Sequence, residues 1–166
     1  MLTLYCKGQT VKVLGDIILP MIIEVDSESA TQALAEKIGR SLKGGALIEL
    51  IGDVGAGKTT FVKGLARGLA IDEDVQSPSF TISRVYEARD GLELRHYDFY
   101  RLSDAGIMSN ELAESIHDPN VVTVIEWADI VENILPTTRL TIRFTSTTET
   151  SRTLDINDQI GTMENI

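Results

Sequence analysis

Eight residues, GDVGAGKT at positions 52 to 59, carry the densest chemistry in the chain. They satisfy G-x-x-x-x-G-K-[ST] through Gly52, Gly57, Lys58 and Thr59, between the apolar run ALIELI and the helix-like FVKGLARGLA. Glycine weakens helices and strands alike, so three of them here mark a loop built to bend. Such a backbone can fold into a concave nest whose N–H groups converge on phosphate oxygens. This assigns Asp53, Val54, Gly55, Ala56, Gly57, Lys58, Thr59 and Thr60 to a phosphate cradle. Lys58 is expected to neutralise β- and γ-phosphates, and the Thr59 hydroxyl to ligate Mg²⁺. The helix end adds about half a positive charge. A glycine-rich turn with an incidental lysine is the competing reading, yet the pattern arises by chance in about one chain in a hundred of this length. The loop is expected to hold a triphosphate.

Three further stretches carry chemistry. VQSPSFT, 75 to 81, places Ser77, Ser79 and Thr81 around Pro78. It reads either as an ordinary proline turn or as a switch loop sensing the γ-phosphate. HYDFYR, 96 to 101, puts Asp98 toward the end of a strand, where aspartate is uncommon. VIEW, 124 to 127, ends an apolar strand on Glu126, the position where enzymes of this loop type hold Mg²⁺ or its water. Trp127 then offers a wall against solvent. Arg84, Arg101, Arg139 and Arg143 are candidate transition-state cations, each equally readable as a surface or ion-paired arginine.

ATP is favoured by elimination. A GTPase needs N-K-x-D, and no Asn here precedes a Lys; the only D-x-x-G is DQIG in the tail. A small-molecule kinase would want a basic lid, whereas AIDEDVQSPSF after the loop helix is acidic.

The elements that must position these groups follow from periodicity. MIIEV (21–25), ALIELI (46–51) and VVTVIE (121–126) read as strands, the last two as buried ones. Ser29 and Gln32 form a capping box for a helix with Leu34, Ala35, Ile38 and Leu42 on one face, stopped by Gly44 and Gly45. A second helix spans about 58 to 69 and a third 104 to 116. FTISRVYEA and LELRHYDFY predict an antiparallel hairpin, RLTIRF and RTLDI a final strand pair, and LTLYCKGQTVKVLG a weak hairpin. The expected fold is α/β: a three-layer P-loop domain over residues 21–156, its mixed central sheet containing antiparallel pairs. Residues 157–166 read as a frayed tail.

Composition narrows the class. The 166 residues fit one domain. A net charge of −10 argues against direct reading of a nucleic-acid backbone. One cysteine, Cys6, cannot close an internal disulfide, which points to a reducing cytoplasm. IILPMII, at seven residues, is far short of the ~20 a spanning helix needs.

In order and spacing, GDVGAGKTTFVKGLARGL, VQSPSFT, HYDFYRL and VIEW resemble the TsaE family over residues 21 to about 145. The resemblance implies a cytoplasmic ATPase needed for threonylcarbamoyladenosine on tRNA, docking on the TsaB–TsaD pair and supporting its turnover. It implies Mg²⁺ at Thr59 and Glu126, and a requirement for Asp98 in hydrolysis. Ser79 stands where the family usually has Thr. Residues 1 to 20 precede the usual start, as an added hairpin or a start codon assigned too early. Two other readings stay open, a small-molecule kinase on the same scaffold and a nucleotide-gated binding module.

Overall fold

MIIEV, LIELI and VVTVIE are short, apolar and rich in β-branched residues, and each forms a strand. The computed structural model describes residues 21–166 and, before them, the backbone of three short strands; from Met21 on, seven strands make one mixed sheet. In chain order the elements are β1 (Met21–Val25), α1 (Glu28–Ser41), β2 (Leu47–Ile51), α2 (Lys58–Gly68), β3 (Ser83–Glu87), β4 (Glu93–Asp98), α3 (Met108–His117), β5 (Val121–Glu126), β6 (Leu140–Ser146) and β7 (Arg152–Asp158). Across the sheet they run β1-β7-β6-β2-β5-β4-β3. β2 lies parallel to β5 and β6, and β4 parallel to β5. The pairs β3–β4 and β6–β7 are antiparallel, as the strand-pair patterns predict, and β7 also pairs antiparallel with β1, which no local pattern announces. The weak hairpin expected before Met21 forms as an antiparallel pair, Leu2–Cys6 with Gln9–Leu14, in a separate small sheet.

Two cores fill the two faces. Ile48, Leu50, Val124 and Ile142 pack against Ile38 of α1 and Phe61 and Leu65 of α2. On the other face Leu47, Tyr97 and Ile125 pack against Leu112 of α3 and Val131 of the 3₁₀ segment Ala128–Ile134. β5 feeds both cores and all six of its residues are buried, hence its largely apolar sequence; the buried Thr123 hydroxyl is paired with that of Ser115 at 2.9 Å.

Glycines set the distance between α1 and α2. A Cβ on Gly64 would stand 2.4 Å from the Gln32 carbonyl oxygen, and one on Gly68 2.2 Å from that of Glu36. One on Gly39 would stand 2.4 Å from the Leu65 carbonyl oxygen. Backbone meets backbone along this seam, an approach that offsets what glycine costs a helix.

Four boundaries differ from the sequence reading. The N-cap of α1 is Ser27, whose hydroxyl accepts from Ala30 N at 3.2 Å, so Ser29 is not the capping residue. β3 begins at Ser83, because Ile82 at φ 68° breaks the extended run. α3 begins at Met108, after a turn through Gly106 at φ 50°. The C-terminal tail is seated instead of frayed. β7 continues to Asp158, whose carboxylate accepts from Ile160 N at 3.1 Å and Met163 N at 2.7 Å. Ile160, Met163 and Ile166 then lie on the first core.

Candidate functional site

β2 delivers the glycine loop and α2 carries it away. Gly55 and Gly57 adopt φ 81° and 105°, a region other residues rarely enter. Gly57 is the N-cap of α2, its carbonyl accepting from Phe61 N at 2.9 Å. Asp53, Val54 and Gly55 form an exposed rim, Ala56 is buried at the base, and Thr59 and Thr60 are half-buried in the first helical turn.

Lys58 is 5% exposed and folds into the loop. Its ammonium donates to the carbonyls of Gly52 at 2.7 Å and Asp53 at 3.0 Å. Glu126 Oε2 lies 3.7 Å away, and the Trp127 ring closes over the amine at 4.9 Å. Trp127 is in turn packed on Tyr100, ring centres 4.8 Å apart.

Strand register brings the two expected carboxylates together. Asp98 and Glu126 are direct partners at the ends of β4 and β5, and both are buried. Glu126 Oε1 accepts from His96 Nε2 at 2.9 Å. An ionised carboxylate can only accept, so the fully buried ring donates through Nε2, and its Nδ1 has no partner among the described residues. Asp98 Oδ1 accepts from Tyr100 N at 3.0 Å. Its Oδ2 accepts from the Ser79 hydroxyl and, at 3.4 Å, from that of Ser77.

VQSPSFT is therefore both a proline turn and an Asp98 contact. Pro78 O accepts from Thr81 N and Ile82 N at 2.9 and 2.6 Å. Ser77 and Ser79 thus have hydrogen-bond partners within the protein itself. Thr81 is exposed, and its hydroxyl reaches only Pro78 O at 3.5 Å. Ile82 at φ 68° and Trp127 at φ 58° hold left-handed backbone beside the two carboxylates. For such side chains this costs about 1–3 kcal/mol each, and strain of this kind gathers at functional sites.

The candidate arginines separate. Arg139 is bound to Glu49 at 2.8 Å and Glu132 at 2.7 Å. Burial acts to lower its pKa, but the bonds to Glu132 and Glu49 prevail and raise it. It braces β2, β6 and the 3₁₀ segment. Arg101 rests on the Phe80 ring at 4.3 Å. Arg143 joins Gly52, Asp53, Trp127 and Asp129 around a cavity of about 500 Å³ beside the glycine loop. Arg84 is the cross-strand neighbour of His96, its buried Nε without a partner among the described residues.

Two residues at the site escaped the sequence reading. His96 stands in the quoted HYDFYR, two residues before Asp98, and that spacing on one strand face was the signal for it. Arg152 touches the loop from β7, 96 positions along the chain from its partner Ala56, with no local signal at all.

The family model described as Threonylcarbamoyl adenosine biosynthesis protein TsaE matches residues 25–154. The tRNA threonylcarbamoyladenosine biosynthesis protein TsaE of Bacillus subtilis (strain 168) is 44% identical over 115 residues, 68% of this chain and 69% of that protein. Its counterpart from Nostoc sp. (strain PCC 7120) is 38% identical over 139 residues, 81% of this chain and 83% of that one. The crystal structure of Bacillus subtilis YdiB matches with a TM-score of 0.70 and 34% identity, over 86% of this chain and 87% of that chain. Glycine loop, carboxylate pair, sheet order and these matches agree, and the chain belongs to the TsaE family.

Proposed function

We propose that this protein is a Mg²⁺-dependent ATPase in the biosynthesis of threonylcarbamoyladenosine on tRNA, docking on the TsaB–TsaD pair and supporting its repeated turnover. One observation carries the reading: Lys58, Glu126 and Asp98 converge at the glycine loop although they come from three different elements. The oxygens of Thr59 and Glu126 are the hard donors that Mg²⁺ prefers. When bound, the ion would neutralise phosphate charge.

The chain's own groups divide the remaining work. Lys58 gives up the Gly52 and Asp53 carbonyls to meet the β- and γ-phosphates. Asp98 orients the attacking water. His96 holds Glu126 by its outer oxygen, leaving the other toward Lys58. Trp127 keeps solvent from the amine. A cytoplasmic location goes with this role, and no described helix is long and apolar enough to cross a membrane.

The test is an ATPase assay of the protein alone and with TsaB–TsaD, with modified tRNA counted per complex. Slow hydrolysis alone, faster hydrolysis in the complex and more than one modification per complex are expected. If a non-hydrolysable ATP analogue sustained equal turnover, the protein would be a nucleotide-gated binding module instead.

A further inference from the structure

When the N–H groups of a cradle turn toward a polyanion, the carbonyls of the same peptides turn away and need donors of their own. Lys58 serves Gly52 and Asp53. Ala56 is served by Arg152, whose Nε donates to the Ala56 carbonyl oxygen at 3.0 Å. Through Nη1 the same guanidinium donates to the carbonyls of Ser151 at 2.9 Å, Glu149 at 3.1 Å and Thr148 at 3.2 Å. One rigid plane thus clips the turn between β6 and β7 to the base of the loop.

The clipped group is significant. The Ala56 carbonyl and the Gly57 N–H belong to one planar trans peptide and point in opposite directions. Gly57 imposes little torsional preference, so it does nothing by itself to stop this peptide from flipping. We propose that Arg152 is a positioning residue for nucleotide binding: by holding the Ala56 carbonyl outward it aims the Gly57 N–H at the phosphate. A Cβ on Gly57 would lie 3.9 Å from Arg152 Nε, so the guanidinium stands directly beside this peptide. Lys58 must leave its loop carbonyls to bind phosphate, whereas Arg152 has no such second task. The inference rests on reading the loop as a nucleotide site.

The experiment compares wild type, R152A and R152K. A lysine keeps the charge but cannot hold Ala56 and the turn carbonyls at once. Kd for Mg-ADP is measured by calorimetry, kcat at saturating ATP, and the Gly57 amide proton by NMR in saturating Mg-ADP. Both variants should bind about 10-fold more weakly, as for one lost charge-assisted hydrogen bond, with kcat within about 3-fold of wild type. The downfield shift of the Gly57 amide on binding should shrink in both, a change that loss of stability alone would not cause. Wild-type affinity in R152K, or an unchanged Gly57 shift, would overturn the proposal. If R152A fails to fold, R152K alone decides it. If wild type itself binds no nucleotide, the nucleotide-site reading fails, independently of Arg152.

Discussion

Under the proposed function Lys58 has two sets of acceptors to serve, the loop carbonyls it holds now and the phosphates it would meet, and a buried ammonium cannot go without both. Lys58→Ala should weaken ATP binding and slow hydrolysis by about 100-fold or more, with an unchanged far-ultraviolet circular dichroism spectrum. Unaltered hydrolysis in that folded variant would refute the site. The adjacent carboxylates should separate in kinetics. Glu126→Gln loses the charge facing Lys58, so the Mg²⁺ concentration for half-maximal activity should rise. Asp98→Asn should lower kcat by about 100-fold and leave nucleotide affinity nearly intact. If titration of Mg²⁺ shows the opposite pattern, the two roles are to be exchanged.

The loop at 72–81 is where local elements meet the site. Its serines donate to Asp98, so any ligand that competes for Asp98 must re-seat the loop. Amide exchange across 72–81 should slow with a non-hydrolysable ATP analogue and less with ADP. Equal protection with both would leave only the proline turn. The glycine loop itself was legible in the sequence because its chemistry is local: eight consecutive residues specify bend, cation and hydroxyl. β2 and β5 were legible because burial on both faces favours apolar residues, so that Glu49, Thr123 and Glu126 stand out as the exceptions. The start of α1 was not, since Ser27 and Ser29 both suit a cap and the release of the chain from β1 decides between them. The left-handed Ile82 was equally hidden, because tertiary contacts and not its side chain set that angle. Asp98 and Glu126 could each be suspected, but their adjacency depends on strand order, which no local pattern encodes.

At the scale of the whole molecule, charge bears on the choice of partner. The protein carries a net charge of −10, which repels a nucleic acid at long range, while the site sets Lys58 and the α2 N-terminus against the carboxylates of Glu126 and Asp98. Contact with tRNA should therefore run through protein partners. Labelled tRNA mixed with the isolated protein at moderate salt should show no shift in a mobility assay, and tight binding would sink the idea. The acidic surface should instead find basic patches on those partners, with association rates that fall as salt rises.

The seam of Gly39, Gly64 and Gly68 has a mechanical meaning. Side chains at an interface can change rotamer as two helices shift, whereas at this seam the backbones approach too closely for any side chain to take up such a shift. α2 begins at Lys58, so the seam fixes the aim of that helix. Half of the site behaves as an anvil. In the proposed nucleotide cycle, whatever differs between a triphosphate and a diphosphate would then be taken up across the cleft, at the serine loop, Ile82 and Trp127, where the backbone is under strain. A partner that reads the state of the nucleotide has to touch that compliant side, because the other side has nothing to tell it.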